Sequence, residues 1–147
     1  MQQFPLDRTE LRENFAYFLK IPTRWRDHDE YRHVNNALYH TFFEQLIMHY
    51  LTVAGDVNTS SGAFRCFTVE NLCRYHLPIR FPETIEAGLR LGKLGNSSVR
   101  YEIGLFVEGQ TEVAATGYFV DVFVDAETET PTPIPDEARA CLEKLIV

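Results

Sequence analysis

The chain lacks net positive charge. Its 14 lysine and arginine residues are outnumbered by 21 aspartate and glutamate residues, which gives a net charge of −7. Proteins that bind the nucleic-acid backbone usually show net basic charge or a basic stripe. Here the basic residues are scattered among acidic ones, so the sequence predicts no nucleic-acid partner. A local cluster of arginine and lysine could still meet a phosphorylated small molecule.

Cysteine is scarce as well. The three cysteines, Cys66, Cys73 and Cys141, are odd in number and form no CxxC pair. Residues an odd number of positions apart face opposite sides of a strand, so Cys66 and Cys73 would not meet on one strand. This pattern favours reduced, buried thiols in a cytoplasmic protein. The first fourteen residues also contain no apolar stretch typical of a secretory signal.

Long apolar runs are absent. No window reaches about eighteen uncharged apolar residues, the length that a membrane-spanning helix needs. The most apolar segment, residues 37–54, is interrupted by Glu44, Gln45 and His49. Hydrophobic residues nevertheless make up 45% of the 147 residues, enough for a substantial core. We therefore expect no membrane span and a single domain over residues 1–147.

The hydrophobic pattern changes period along the chain. Apolar residues alternate over residues 15–27, which predicts a strand. They then recur every three or four positions over residues 38–51, which predicts a long helix with a broad apolar face. Asn35 or Asn36 can cap the start of this helix, and Gly55 fits just past its end.

Only strand patterns follow, until the last residues. They predict strands at residues 64–75, 85–91, 99–107 and 112–124, with turns at 94–98 and 108–110. A short helix capped by Asp136 ends the chain. The order is strand, long helix, four strands, short helix. It predicts an α+β fold in which an antiparallel sheet of about five strands curls around the long helix.

The stretch RWRDHDEYRHVNNALY, residues 24–39, lies between the first strand and the long helix. It places the carboxylates of Asp27 and Asp29 about six residues ahead of a helix start, where backbone N–H groups are free. Such N–H groups can hold the oxygen of a polarised carbonyl, and a facing carboxylate can activate water or attack directly. This pair suits thioester hydrolysis, since a thiolate leaves easily.

Other interpretations of the same stretch remain open. Asp27 and Asp29 with Arg24 and Arg26 could form a solvated cluster of ion pairs. A metal site would need Asp27, Asp29 and the histidines of this stretch to converge, but no HExxH or HxxxH pattern is present, so no metal or other cofactor is expected. No GxSxG motif is present either, which argues against a serine hydrolase.

The run D-x-D-x-x-x-HVNN-A-x-Y within this stretch resembles the hotdog-fold acyl thioesterases. The branch around 4-hydroxybenzoyl-CoA thioesterase and the acyl-carrier-protein thioesterases is the most similar. The segments LGNSSVRYEI, AATGYFVDVFVD and IPDEARA also fit, so the resemblance covers about residues 15–143. It implies a long central helix wrapped by a curved antiparallel sheet. It also implies a dimer or a tetramer of dimers, with active sites at the subunit interface.

The resemblance also implies roles for single residues. Asp29 matches the catalytic carboxylate of the benzoyl-CoA branch, and the N–H near Asn36 matches its carbonyl-polarising group. His33 matches a catalytic or positioning histidine of the acyl-carrier-protein branch. That branch carries asparagine where this chain has Tyr31, and the benzoyl-CoA branch lacks a histidine at position 33. The chain thus combines features of both, and general-base and nucleophilic mechanisms both remain open.

Residues around the turn at 94–98 are candidates for the phosphates of coenzyme A. By the resemblance, Arg90, Lys93 and Arg100 are expected near the nucleotide, and Ser97 and Ser98 could add hydrogen bonds. Solvated strand ends are an equally good interpretation of all five.

Two residues of the long helix have open roles. Tyr39 on the first turn is either a substrate contact or part of the core. Glu44 matches a catalytic glutamate of another hotdog branch, but it is better interpreted as an anchor for the loop or helix start.

The sequence therefore predicts an acyl-CoA thioesterase that forms a homo-oligomer. The alternatives are a hotdog domain that binds an acyl thioester without cleaving it, and a thioesterase that acts on an acyl carrier protein.

Overall fold

The computed structural model describes all residues, 1–147, and contains one sheet of five strands and two α-helices. In chain order the elements are β1 (Tyr17–Pro22), α1 (Leu38–His49), β2 (Phe64–Tyr75), β3 (Thr84–Leu94), β4 (Ser98–Val107), β5 (Val113–Asp125) and α2 (Asp136–Glu143). The strands lie in the order β1-β3-β4-β5-β2, and every neighbouring pair is antiparallel. The expected α+β fold and the five-stranded antiparallel sheet are confirmed.

The apolar face of α1 packs against the inner face of the sheet. Phe43, Leu46 and Ile47 are almost completely buried, and they belong to a core of 30 buried residues that also includes the inward side chains of the strands. The helix continues for five residues, Tyr50–Ala54, as a π-helix. Gly55 follows, as expected. A Cβ there would lie 2.3 Å from Cys141 Sγ, so only glycine fits against α2.

The first strand is shorter than the alternation predicts. β1 ends at Pro22, and Trp25–Asp27 forms a 3₁₀ turn instead of strand. The cause is the Asp27 carboxylate, which is buried and accepts hydrogen bonds from the Arg24 backbone N–H at 2.7 Å and from Arg24 Nη2 at 2.8 Å. A local bond of this kind offers the backbone an alternative to a ladder. Asp27 therefore shapes the backbone ahead of the next loop.

The helix caps differ in detail from the prediction. Ala37, and neither Asn35 nor Asn36, occupies the cap position of α1 and makes no side-chain cap bond; Asn35 Oδ1 instead accepts the Ala37 N–H at 3.0 Å in the turn just ahead of the helix. Asp136 is the first residue of α2 and not its cap, since the preceding Pro135 already supplies the extended backbone that the cap position needs. Neither helix has the length and apolar character that crossing a membrane requires.

Candidate active site

The loop that follows the 3₁₀ turn folds back on itself. We call residues 28–36 the Asp29 loop. The Asp29 N–H donates to the His33 carbonyl at 2.9 Å, and the Arg32 N–H donates to the Asp29 carbonyl at 3.1 Å. Arg32 adopts a positive φ of 60°, which lets the chain reverse so tightly. The reversal brings Asp29 and His33 next to each other at the wall of a cleft.

The Asp29 carboxylate is held by one oxygen only. Its Oδ1 accepts the Tyr31 N–H at 2.9 Å and the His33 N–H at 3.3 Å. No group of the chain hydrogen-bonds to Oδ2. The loop therefore fixes the orientation of the carboxylate and leaves one oxygen for a water molecule or a substrate.

The start of α1 presents one backbone N–H that has no partner. The N–H groups of Asn35, Ala37 and Leu38 all donate within the chain, to Asp27, to the Asn35 side chain and to the Asn35 carbonyl. The Asn36 N–H makes no hydrogen bond, and Asn36 is exposed. A free N–H at the positive end of a helix can stabilise negative charge on a ligand oxygen.

Asp29 and Asn36 line one cleft of about 300 Å³. Its nine lining residues are Asp29, His33, Val34, Asn36, Tyr39, Tyr75, His76, Leu77 and Pro78. The structure thus brings together four residues that the sequence singled out, namely Asp29, His33, Asn36 and Tyr39. The segment 75–78 was not foreseen, because it lies far along the chain and carries no motif of its own.

Tyr75 supports the helix start from this second segment. Its hydroxyl donates to the Asn36 carbonyl at 3.1 Å, and its ring packs edge-on against that of Tyr39, with the centroids 4.8 Å apart. Burial raises the pKa of Tyr75 to about 12 and raises the pKa of Tyr39 still further above its ordinary value. Both side chains are therefore neutral phenols at neutral pH.

Two imidazoles line the cleft. His33 Nε2 lies 3.1 Å from Arg80 Nη2, and since a guanidinium only donates, this nitrogen of His33 is the acceptor. His76 Nε2 lies 2.9 Å from Thr116 Oγ1. Burial and the nearby Arg8 lower the pKa of His76, which favours its neutral form. His33 thus positions Arg80 at the rim of the cleft, and His76 forms an uncharged wall.

Arg90, expected at a phosphate, lies in the interior instead. It is 1% exposed, and its guanidinium is 2.6 Å and 2.8 Å from the Glu10 oxygens and 2.8 Å from Glu102 Oε2. The rings of Phe4 and Phe15 contact it at 4.5 and 4.8 Å from their centroids. Every donating side of the group is therefore occupied, and Arg90 ties the N-terminal segment to β3.

The other phosphate candidates lie at the far end of the sheet. Lys93 and Arg100 line a separate cavity of about 340 Å³ with residues of the N-terminal segment. Ser97 lies in the turn between β3 and β4, and Ser98 is the first residue of β4. The Asp29 loop contacts the segment that leads into the opposite end of β3, where the Val34 N–H donates to the Ile79 carbonyl at 2.8 Å. At ~3.3 Å per residue, β3 separates the two ends by about 30 Å.

Comparison with known proteins assigns the fold to a family. The model of the thioesterase-like superfamily matches residues 23–142. The chain belongs to this superfamily. The match includes the Asp29 loop, α1 and all but one of the strands. No curated protein matches the sequence.

Several solved structures share the fold. The PA5185 protein of Pseudomonas aeruginosa strain PAO1 is 45% identical, with a TM-score of 0.89 over 92% of this chain and 95% of that one. A thioesterase of Thermus thermophilus, crystallised with coenzyme A and zinc, is 29% identical, with a TM-score of 0.72 over 90% and 96%. A 1,4-dihydroxy-2-naphthoyl-CoA thioesterase of Synechocystis is 11% identical, with a TM-score of 0.81 over 88% and 96%, a likeness of fold alone. The chain has the hotdog fold of these proteins.

Metal-binding clusters and reactive thiols are the other groups to consider. No group of three or more histidine, cysteine, aspartate or glutamate side chains is placed to hold a metal ion. All three cysteines are unpaired. Burial raises the pKa of the Cys66 thiol to about 12 and that of Cys73 to about 11, so neither is a reactive thiolate.

Glu44 takes neither of its expected places. It is exposed on α1, does not line the cleft, and makes no hydrogen bond to the Asp29 loop or to the helix start. Partial burial of its carboxyl group raises the pKa of Glu44, and repulsion from the Asp121 carboxylate raises it to a smaller extent. Asp27 holds the loop instead, because its carbonyl accepts the Asn35 N–H at 2.9 Å.

Proposed function

We propose that the protein hydrolyses acyl thioesters of coenzyme A in the cleft at the start of α1. One observation carries this proposal. The free oxygen of Asp29 and the free N–H of Asn36 belong to the same cleft, and each lacks a partner within the chain. A base and an oxyanion donor are the two groups that acyl transfer to water requires. The Thermus thermophilus thioesterase crystallised with coenzyme A supports this choice of carrier.

The reaction follows from this pair. The thioester carbonyl oxygen accepts the Asn36 N–H, which stabilises the negative charge that develops when the carbon is attacked. Asp29 Oδ2 takes a proton from water as the water oxygen forms its bond to the carbonyl carbon. The tetrahedral intermediate then collapses, the carbon–sulfur bond breaks, and the thiolate of coenzyme A leaves and is protonated.

Asp29 can also act as the nucleophile. In that case Oδ2 itself bonds to the carbonyl carbon, the thiolate leaves, and water hydrolyses the resulting anhydride. Both routes use the same two groups of the chain. Tyr75 and His33 act indirectly. Tyr75 holds the Asn36 peptide, and His33 closes the turn that orients Asp29.

We also propose that two or more copies of the protein assemble through β2. We place the protein in the cytoplasm, because its three cysteines are all unpaired and thiols stay reduced there. β2 lies at the edge of the sheet and pairs only with β5. Phe67 and Val69 on this strand are 39% and 63% exposed. An open apolar edge is a site for pairing with another strand.

The free Asp29 carboxylate favours an enzyme over a domain that only binds acyl thioesters. A domain that only binds the thioester does not need an unpartnered carboxylate beside the thioester carbonyl. A panel of acyl-CoA substrates of different chain length, with aryl members, tests this in an assay that traps the released thiol with a dye. Release of thiol with at least one substrate is expected. No turnover with any of them would favour the binding domain. The same acyl group on an acyl carrier protein then decides between the two carriers.

A further inference from the structure

The single tryptophan of the chain is an exposed surface residue. Trp25 lies on the 3₁₀ turn just ahead of the Asp29 loop and is 75% exposed. Tryptophan is usually largely buried, since its large ring gains much from leaving water. An exposed indole next to a candidate active site therefore points to a ligand that covers it.

Two further rings hold Trp25 in a fixed arrangement. The Trp25 ring centroid is 5.7 Å from that of His28 and 5.8 Å from that of Phe81. His28 and Phe81 are themselves 5.8 Å apart, nearly perpendicular, and the Phe81 N–H donates to His28 Nε2 at 2.6 Å. We call Trp25, His28 and Phe81 the aromatic surface. It is formed before any ligand binds, so stacking on it costs little ordering.

Arg80 connects the aromatic surface to the cleft. It precedes Phe81 in the chain, and its Nη2 contacts His33, which lines the cleft beside Asp29. The Arg80 side chain is exposed and forms no ion pair within the chain; the nearby Glu83 carboxylate accepts the Arg80 backbone N–H at 2.7 Å. A path thus runs from Asp29 past His33 and Arg80 to the three rings.

We propose that the aromatic surface and Arg80 bind the nucleotide end of a coenzyme A thioester whose acyl carbon lies at Asp29. The adenine ring stacks on the exposed aromatic rings, an interaction that any base can make. The Arg80 guanidinium pairs with a phosphate group, for which its planar fork of donors is suited. This inference rests on the proposed function, because it identifies how the carrier of that substrate is held.

The same chain offers a competing site for comparison. Lys93 and Arg100 lie about 30 Å from this end of β3, at ~3.3 Å per residue, farther than an extended pantetheine arm reaches within one copy. The aromatic surface shares His28 with the Asp29 loop and belongs to the same copy of the chain. Variants at Lys93 and Arg100 therefore serve as matched controls that remove a positive charge elsewhere.

Fluorescence of the single tryptophan provides a direct test. Wild-type protein is titrated with coenzyme A, with adenosine 3′,5′-bisphosphate and with pantetheine. The first two are expected to quench the Trp25 emission in a saturable way, and pantetheine is expected to leave it unchanged. Saturating coenzyme A that leaves the emission unchanged would overturn the proposal. Because binding is measured without turnover, this result stands even if no thioester is hydrolysed.

Variants then assign the contacts. Phe81→Ala and Arg80→Gln are each expected to weaken quenching by coenzyme A about tenfold, the usual scale for one stacking contact or one charge-assisted bond. Lys93→Gln and Arg100→Gln are expected to bind as the wild type does. The opposite pattern, with loss of binding in the Lys93 and Arg100 variants alone, would contradict the assignment.

Kinetics separate a binding role of Trp25 from a structural one. Trp25→Ala is expected to raise KM for an acyl-CoA about tenfold. It should also lower the ratio of kcat/KM for that acyl-CoA to kcat/KM for the matched acyl-pantetheine, whereas Trp25→Phe should keep most of this ratio. Size-exclusion chromatography of both variants tests whether a second copy of the chain, and not coenzyme A, covers the aromatic surface. If Trp25→Ala dissociates an oligomer and leaves the affinity for coenzyme A intact, a second copy covers the surface and the proposal fails.

Discussion

Asp29 and Asn36 face one cleft, with a free carboxylate oxygen on the first and a free backbone N–H on the second. Their loop and helix start are joined by the Asn35 N–H bond to the Asp27 carbonyl at 2.9 Å. Backbone N–H groups therefore orient the Asp29 carboxylate, and the Tyr75 hydroxyl holds the Asn36 peptide, so both groups are fixed before a substrate binds. Groups that are preorganised in this way need not rearrange when the substrate reacts.

Asp29→Asn tests the base directly. The amide keeps an acceptor oxygen for the Tyr31 and His33 N–H groups, so the loop is expected to hold its shape, but no carboxylate remains. We expect kcat to fall by about 10²–10⁴, the usual contribution of a positioned base or nucleophile. Glu30→Gln on the same loop is the control and should retain activity. A wild-type rate for Asp29→Asn would exclude this residue as the catalyst.

Asp27 is expected to contribute stability above acidic pH. Burial opposes its charge, but the hydrogen bonds from Arg24 outweigh burial and hold the pKa of Asp27 below its ordinary value. A lowered pKa in the folded state means stability that is present above the unfolded pKa of about 3.9 and is lost as pH falls below it. Asp27→Asn should therefore be less stable by about 1–2 kcal/mol at pH 7. Urea unfolding should show that this difference shrinks below about pH 4. A constant difference across that range would contradict the charge-based account.

Local patterns in the sequence predicted most elements and failed where distant segments meet. The bounds of β2 agree with the alternation, because a strand's period is read from neighbouring residues. Asp29, His33 and Asn36 lie in one short stretch, so their proximity was also readable. His76 and Tyr75 carry no local signal, since the fold alone brings them to the cleft. Their part in the site required the path of the whole chain.

Tyr75→Phe tests the support of the helix start. The variant loses the bond to the Asn36 carbonyl but keeps the ring that packs on Tyr39. We expect kcat to fall about tenfold, or ~1.4 kcal/mol in the barrier, with little change in KM. Because burial raises the pKa of Tyr75 to about 12, its hydroxyl stays a donor up to about pH 11. The effect of the variant should therefore be constant between pH 6 and pH 10, about the range of a standard rate profile. A change that appears only above about pH 9 would assign Tyr75 a titrating role instead.

Arg90→Met tests whether this arginine serves the fold or a phosphate. On β3 its alternation with apolar residues suggests an outward side chain, but Glu10 and Phe4 of the N-terminal segment cover it. Removing the cation leaves the Glu10 carboxylate buried without its partner, which typically costs about 3–5 kcal/mol. We expect a clearly lower midpoint in urea, with KM for acyl-CoA unchanged in the protein that stays folded. The double variant Arg90→Met with Glu10→Leu should recover much of the loss, because no unpaired charge remains in the interior. A raised KM in a variant of normal stability would instead show that Arg90 contacts the substrate.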